Sequence, residues 1–206
     1  MKDSNNSKLL ITGTVAFDDI ETPNGSSGKI IGGAGTYIAL AASIFSKRIS
    51  LISVIGDDFL EEDIKMLQLK SINTDMIERI DGEKSFYWKG RYHSNFKTRD
   101  TLVTELNALE KFNPVVNQSS KNADIVILGN LHPNVQLSVL DQLESNKSFV
   151  ILDTMNFWMD TALDELKRVL LKTDLIIIND EEVEQLTSEQ NLCVAAVYYT
   201  HLTLQT

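Results

Sequence analysis

The sequence predicts an α/β protein of three layers, in which a mostly parallel sheet is packed between helices. Short apolar runs that suit buried strands alternate with segments of helical periodicity, as where the run Ile125–Leu128 is followed by Pro133 in a helix-starting position. A β-branched run over 49–55 suits a central strand. Repeated βα units with short connections indicate a parallel sheet with helices on both faces.

The elements follow one another along the whole chain. Strands are predicted over 8–12, 49–55, 125–128, 149–152 and 175–178. Helices are predicted over 36–45, after Asp58 with Leu60, Ile64 and Leu67 on one face, after Pro133, around Leu163, Leu166 and Leu170, and over 179–186.

Three segments depart from this alternation. Residues 84–93 alternate in the manner of a strand and 98–104 can pair back, which predicts an antiparallel hairpin. Residues 22–29 are rich in Pro, Asn, Gly and Ser and are interpreted as a turn-rich excursion. Residues 190–206 carry no Asp, Glu, Lys or Arg, which indicates either an atypical tail foreign to the fold or a genuine β-rich terminus.

The composition excludes several classes of function. A formal net charge of −10 disfavours a nucleic-acid partner, because an acidic surface repels phosphodiesters. The single cysteine, Cys193, excludes an internal disulfide. No run approaches the roughly 18 apolar residues of a membrane span. The polar start lacks a signal peptide, so we expect a cytoplasmic protein without a membrane partner.

Common catalytic motifs are missing from the sequence. Gly33-Ala34-Gly35 lacks the third glycine of a dinucleotide fingerprint, and it follows a segment interpreted as a loop. There is no P-loop and no Gly-x-Ser-x-Gly elbow. The three histidines, His93, His132 and His201, lack the spacing of metal ligands. Dehydrogenase, hydrolase and metalloenzyme functions are therefore disfavoured.

The glycine-rich run 32–35 opens the alanine-rich helix. Glycines allow a ligand to approach the backbone, and the helix start is expected to offer unpaired amides. A carboxylate such as Asp18 could hold two hydroxyls of a polyhydroxylated ligand beside them. The alternative is that these glycines only form a close-packed turn.

Five segments, in order, carry a family resemblance. They are Gly13-Thr14-Val15-Ala16-Phe17-Asp18, Gly32-Gly33-Ala34-Gly35-Thr36, Val54-Ile55-Gly56-Asp57-Asp58, Asp153-Thr154-Met155-Asn156 and Asn179-Asp180-Glu181-Glu182. Together they resemble the ribokinase-like (PfkB-type) carbohydrate kinases over a domain of residues 8–189. The resemblance implies a three-layer α/β/α core with a small β lid, which we assign to 22–31 and 84–104.

The resemblance also implies an activity and a set of site residues. The activity is ATP-dependent phosphorylation of a sugar or nucleoside hydroxyl, with ATP and Mg²⁺ as cofactors. It assigns the substrate to Asp18, Gly32, Gly33, Tyr37 and Asn156. It assigns Mg²⁺ and phosphate positioning to Asn179 and Glu182.

The chain departs from the family pattern at three points. Tyr37 stands where many members carry asparagine, and Trp158 stands where arginine is frequent. The family's Gly-Ala-Gly-Asp segment, which supplies an anion hole and the catalytic aspartate, is absent, since no glycine follows Gly129. We therefore expect a truncated kinase that lacks its C-terminal part, with no catalytic residue in this chain and no turnover.

Two alternatives stay open beside the kinase. The chain could be a non-catalytic module that binds a sugar or nucleoside through Asp18 and Gly33. It could also form a homodimer through the β lid, with Phe86, Trp88 and Tyr92 in the interface.

Overall fold

The computed structural model describes residues 7–96, 98–144 and 147–197. The strands are β1 Leu9–Thr12, β2 Ala16–Thr22, β3 Gly25–Gly32, β4 Ile49–Ile55, β5 Ile72–Arg79, β6 Tyr87–Tyr92, β7 Arg99–Glu105, β8 Ile125–Leu128, β9 Phe149–Asp153 and β10 Leu175–Ile177. The helices are α1 Ala34–Ala42, α2 Glu61–Leu69, α3 Pro133–Asp141, α4 Asn156–Thr161, α5 Leu163–Leu170 and α6 Asp180–Thr187, with a 3-10 helix at Asn107–Lys111.

Six strands form the main sheet in the order β10-β9-β8-β1-β4-β5. Every neighbouring pair is parallel. The five predicted strands all lie in this sheet. The central strands β1, β4 and β8 are largely buried, as parallel strands covered on both faces require, whereas Leu175 and Ile177 of the edge strand β10 are exposed. The strand β5 was not predicted.

Two apolar cores cover the two faces of the main sheet. One contains α3 and α5, whose Leu137 and Leu166 pack with Leu10 of β1. The other contains α1 and α2, whose Ala39 and Leu67 pack with the remaining face of the same strands. Because successive side chains of a strand point to opposite faces, the strands contribute to both cores. The three-layer α/β/α prediction is confirmed.

A second, four-stranded sheet has the order β3-β2-β6-β7. The pairs β2–β3 and β6–β7 are antiparallel, which confirms the predicted hairpin over 84–104. The two hairpins are joined by parallel pairing of β2 with β6. The chain enters this sheet twice, after β1 and after β5.

The interpretation of 22–29 as a turn-rich excursion was wrong. Only Pro23 and Asn24 form the turn, and residues from Gly25 onward belong to β3. Glycine and serine favour turns in a single-sequence pattern, but here pairing with β2 fixes them in a strand. The Ser27 hydroxyl also accepts a hydrogen bond from the backbone N–H of Ile20, at 2.9 Å.

Two helix predictions need correction. The helix predicted to reach Phe45 ends at Ala42, and Phe45 is exposed. Leu60 precedes α2 in an extended conformation and is exposed, so it does not share the buried face of Ile64 and Leu67. The helix predicted around Leu163, Leu166 and Leu170 is confirmed as α5. A short helix that was not predicted, α4, precedes it and ends where Ala162 leaves the helical conformation at φ −147°.

In the tail, residues 192–197 are helical, so the β-rich alternative is wrong for that segment. Residues 198–206, which include His201, lie outside the described residues. Within the described part of the chain, none of the helices combines the length and apolar character needed to cross a bilayer.

Candidate acceptor and phosphate site

The carboxyl ends of the main-sheet strands meet at one edge. On one side of β1 the chain adds β4 and then β5. On the other side it later adds β8, β9 and β10. The strand order therefore reverses between β1 and β8. There the Gly129 backbone N–H donates to the Thr12 carbonyl at 2.7 Å. Such a switch point is where open parallel sheets bind ligands.

Asp18 lies on β2, directly above the start of α1. A β-carbon built on Gly32 would lie 2.0 Å from Oδ2 of Asp18, so the carboxylate occupies the space that any side chain at residue 32 would take. The Gly33 backbone N–H donates to this carboxylate. Burial raises the pKa of Asp18 above its ordinary value, and the Gly33 hydrogen bond opposes that shift. The structure thus brings together Asp18, Gly32 and Gly33.

Most of the amides at the start of α1 already have partners, which contradicts the prediction that they are unpaired. The Ala34 N–H donates to the Thr14 hydroxyl at 2.9 Å, and the Thr36 N–H donates to the Thr14 carbonyl at 3.3 Å. With the Gly33 N–H on Asp18, three amides have partners within the chain. The glycine run therefore lies against Asp18 and Thr14, which occupy most of its amides.

Tyr37 lies in the first turn of α1 and is 52% exposed. Its hydroxyl donates to the Ile31 carbonyl at 3.4 Å, a long hydrogen bond. The ring thus lies beside the end of β3, next to Gly32 and Gly33. An aromatic edge borders the Asp18 site at this position.

A second group of polar residues follows β8, β9 and β10. The Asn130 backbone N–H donates to Oδ2 of Asp153 at 3.2 Å. Burial raises the pKa of Asp153 to about 6, and the negative charge of Glu182 adds to this shift, while the Asn130 and Thr154 amides oppose it. Asp153 therefore shares a partly buried site with the Glu182 carboxylate.

Asn179 and Glu182 form a capping box at the start of α6. The Glu182 N–H donates to Oδ1 of Asn179 at 3.0 Å, and the Asn179 N–H donates to Oε2 of Glu182 at 2.9 Å. Glu182 is only 8% exposed. The Asn-x-x-Glu spacing thus has a structural consequence: it holds the Glu182 carboxylate beside Asp153.

Asn156 begins α4 and is directed toward α6. Its side-chain amide donates to Oε1 of Gln185. Nearby, the Trp158 indole N–H donates to Oδ1 of Asn130 at 2.8 Å. Asn156 is therefore bonded to α6, the helix that carries Glu182.

The sequence-predicted site residues fall into two groups at one edge of the sheet. Asp18, Gly32, Gly33 and Tyr37 form the first, which we call the acceptor group. Asn156, Asn179 and Glu182 lie in the second, with Asp153, which we call the acidic group. A cavity of about 570 Å³ between residues 113–115 and α3 touches neither group.

Three further residues take part in the site. Asn130 and Asp153 are among the polar residues that follow the predicted strands, but the sequence alone assigned them no specific role. Thr14 and Asn130 act through contacts that only the folded chain creates.

Comparison with known proteins identifies the family. Residues 12–202 match the profile of the pfkB family carbohydrate kinases, and the chain belongs to that family. The chain is 21% identical to a cytidine kinase of Thermococcus kodakarensis, over 91% of this chain and 67% of that protein.

Solved structures share the fold. A putative ribokinase II from E. coli in its apo form superposes with a TM-score of 0.77 at 16% identity, over 95% of this chain and 70% of the other. An Arabidopsis thaliana ribokinase complexed with ribose and ATP gives a TM-score of 0.70 at 16% identity, over 95% and 69%. The chain therefore spans about two thirds of the length of these relatives.

Proposed function

We propose that this chain provides the acceptor-binding part of a kinase that transfers a phosphoryl group from ATP to a hydroxyl of a sugar or nucleoside. The observation that carries the proposal is the Asp18 carboxylate lying over Gly32 and held by the Gly33 N–H. A carboxylate fixed in this way can accept hydrogen bonds from two neighbouring hydroxyls. The similar cytidine kinase and ribose-bound ribokinase support this choice of acceptor.

The acidic group fits a magnesium nucleotide. Mg²⁺ is usually bound by one or two carboxylates and completed by water and phosphate oxygens. Asp153 and Glu182 would supply such a pair. Among the described residues no group of three or more His, Cys, Asp and Glu could hold a metal ion, so water and phosphate oxygens would have to complete the coordination. Bound ATP would supply the transferred phosphoryl group. Glu182 would face the cation, and Asn179 would keep Glu182 in place through the capping box.

We further propose that the 206-residue chain binds its acceptor without turning it over. Its sequence holds no Gly-Ala-Gly-Asp segment, so neither an anion hole nor a base of that type is present. Phosphoryl transfer depends on positioning and on neutralising developing charge, and both would be incomplete.

We also propose that the protein is cytoplasmic. Its one cysteine, Cys193, is a free thiol, which suits a reducing compartment.

Calorimetric titration of the chain with ribose and cytidine tests acceptor binding. Asp18→Asn should weaken both ligands by at least about tenfold, because hydrogen bonds to a charged group contribute about 1.5–3 kcal/mol. Asp19→Asn is the matched control, since Asp19 faces the other side of β2 and pairs with Lys89 at 3.3 Å. Equal binding by wild type and Asp18→Asn would contradict the proposal.

Turnover is tested separately, by following ATP consumption with a panel of sugars and nucleosides. The chain should show no substrate-dependent ATP consumption. The complete reading frame of the gene distinguishes the kinase from the non-catalytic binding module. If the chain binds acceptors and the reading frame encodes no Gly-x-Gly-Asp segment, the protein is the binding module. Substrate-dependent turnover by the 206 residues would overturn the inactivity proposed above.

The homodimer is a second candidate arrangement. The strand β7 lies at an edge of the second sheet and is mostly exposed. Exposed edges are sites of strand pairing between chains. The mass of the chain in solution, measured by light scattering over a range of concentrations, tests it, and a monomer at all concentrations would exclude it.

A further inference from the structure

The register of the second sheet places Trp88 beside Asp18. The two residues are paired across the parallel strands β2 and β6, about 4.8 Å apart in the hydrogen-bonding direction. Paired residues of neighbouring strands present their side chains on the same face. Trp88 therefore shares the face of the sheet that carries the Asp18 carboxylate.

The indole of Trp88 lies flat along its own strand. A β-carbon built on Gly90 would lie 2.1 Å from the Cη2 atom of the indole, so the ring covers Gly90 closely. The indole N–H is directed to the Thr101 hydroxyl of β7, at 3.3 Å. The glycine below and the hydroxyl beside it define the orientation of the ring. Trp88 is nevertheless only half-buried, and a surface of the ring stays accessible.

The charged residues of β6 lie on the opposite face. Lys89 pairs with Asp19 at 3.3 Å and with Glu21 at 2.9 Å, and Arg91 pairs with Glu21 at 2.8 Å. Tyr87 also faces that side and donates to Asp19 at 3.3 Å. These cations are neutralised locally, and they do not point toward the Asp18 face.

We propose that Trp88 is the specificity-determining residue of the acceptor site and that the acceptor is a nucleoside, whose base stacks on the indole while Asp18 holds the ribose hydroxyls. The inference rests on the proposed acceptor-binding function of Asp18. A free sugar has no planar π-system to place on the indole, whereas every nucleobase has one. Stacking on an aromatic side chain is tolerant of base identity, so the site selects the class of nucleosides.

Arg99 adds a second stacking partner. Its guanidinium lies over the Trp88 ring, with the Cζ atom 6.0 Å from the ring centroid. Carbon atoms in direct contact are about 3.5–4.0 Å apart, so the guanidinium does not touch the ring face. A planar guanidinium stacks on aromatic faces. The exposed Arg99 side chain can adjust to cover a base from the side opposite the indole.

The experiment compares cytidine, adenosine and ribose as ligands of the full chain by calorimetry. Wild type should bind both nucleosides more tightly than ribose. Trp88→Leu keeps an apolar cover over Gly90 but removes the ring, and it should weaken the nucleosides by about 5- to 150-fold. Ribose affinity should change less than about twofold, because it depends on Asp18. Trp88→Phe keeps an aromatic face and should retain most of the nucleoside affinity.

Each outcome decides the inference. Thermal melts of the three proteins must coincide, which shows that the variants fold. If Trp88→Leu does not fold, Trp88→Met, which also lacks a planar ring, takes its place and should show the same loss of nucleoside affinity. Ribose binding that depends on Asp18, with no preference for nucleosides or no response to Trp88, would overturn the inference and leave the proposed function intact. The absence of binding by all three ligands to a folded wild-type chain would overturn both.

Discussion

The Asp18 carboxylate occupies the position that a side chain at residue 32 would need, since a β-carbon on Gly32 would lie 2.0 Å from Oδ2 of Asp18. The clash involves the end of a side chain and not the backbone. Gly32→Ala should therefore turn Asp18 away from the Gly33 N–H while leaving the fold in place.

For Gly32→Ala we expect ribose and cytidine affinity to fall by at least about tenfold, the loss associated with a hydrogen-bonded charged group. The free energy of unfolding should change by less than about 1 kcal/mol. Calorimetry and urea denaturation measure the two effects. Unchanged affinity would show that the position of Asp18 over Gly32 does not matter for binding.

Gly33→Ala should destabilise the protein more than the same substitution at Gly82, another glycine with a positive φ angle. Gly33 has φ +93° and its β-carbon would lie 2.3 Å from the Thr14 carbonyl oxygen, whereas Gly82 has φ +77° and open space around it. Gly82→Ala should cost about 1 kcal/mol for backbone strain alone. Gly33→Ala should cost at least about 1–3 kcal/mol more, because a close-packed backbone must move. Similar urea midpoints for the two variants would show that the close approach of Gly33 to the Thr14 carbonyl adds no cost beyond backbone strain.

Asp153 should make stability depend on pH. Its pKa is raised from 3.8 to about 6 in the folded chain, so folding favours the protonated form. The contribution of Asp153 is fully present below pH 3.8 and is lost as pH rises through about 6. Asp153→Asn should therefore raise the unfolding free energy relative to wild type at pH 7, by roughly 1–2 kcal/mol, and give little difference near pH 4. A difference that is the same at both pH values would exclude this explanation.

Glu182→Gln should lower the pKa of Asp153. The negative charge of Glu182 contributes to the raised value, and glutamine removes the charge while its carbonyl can still accept from the Asn179 N–H. Carbon-13 NMR titration of the Asp153 carboxyl measures the shift. Glu181→Gln is the matched control, because Glu181 is an exposed residue of the same first turn. Equal Asp153 titration curves for the two variants would contradict the proximity.

Much of the main sheet could be predicted because its signal is local. Strands such as Ile125–Leu128 are apolar throughout, and that pattern follows directly from burial on both faces. The strand β3 could not be predicted, since Gly25, Ser26 and Ser27 favour turns and only pairing with β2 holds them extended.

The candidate site was predictable only in part, because some of its contacts join residues that are far apart in the sequence. Asp18 and the glycines stand in recognisable segments, but the use of the α1 amides by Thr14 depends on a contact between residues about twenty positions apart. The face on which Trp88 lies depends on register with Asp18, seventy positions earlier in the chain. A one-residue slip in that register would reverse the two faces, and no local pattern fixes it.

The chain enters the second sheet twice, and this has a consequence for the order of assembly. Asp18 and Trp88 belong to hairpins separated by α1, β4, α2 and β5, and their strands can meet only after that intervening chain has been placed. Contacts between distant parts of a chain form at a higher entropic cost than local ones. The binding face should therefore be completed late in folding, and its amide hydrogens on β2 and β6 should exchange with solvent before those of β1 and β8.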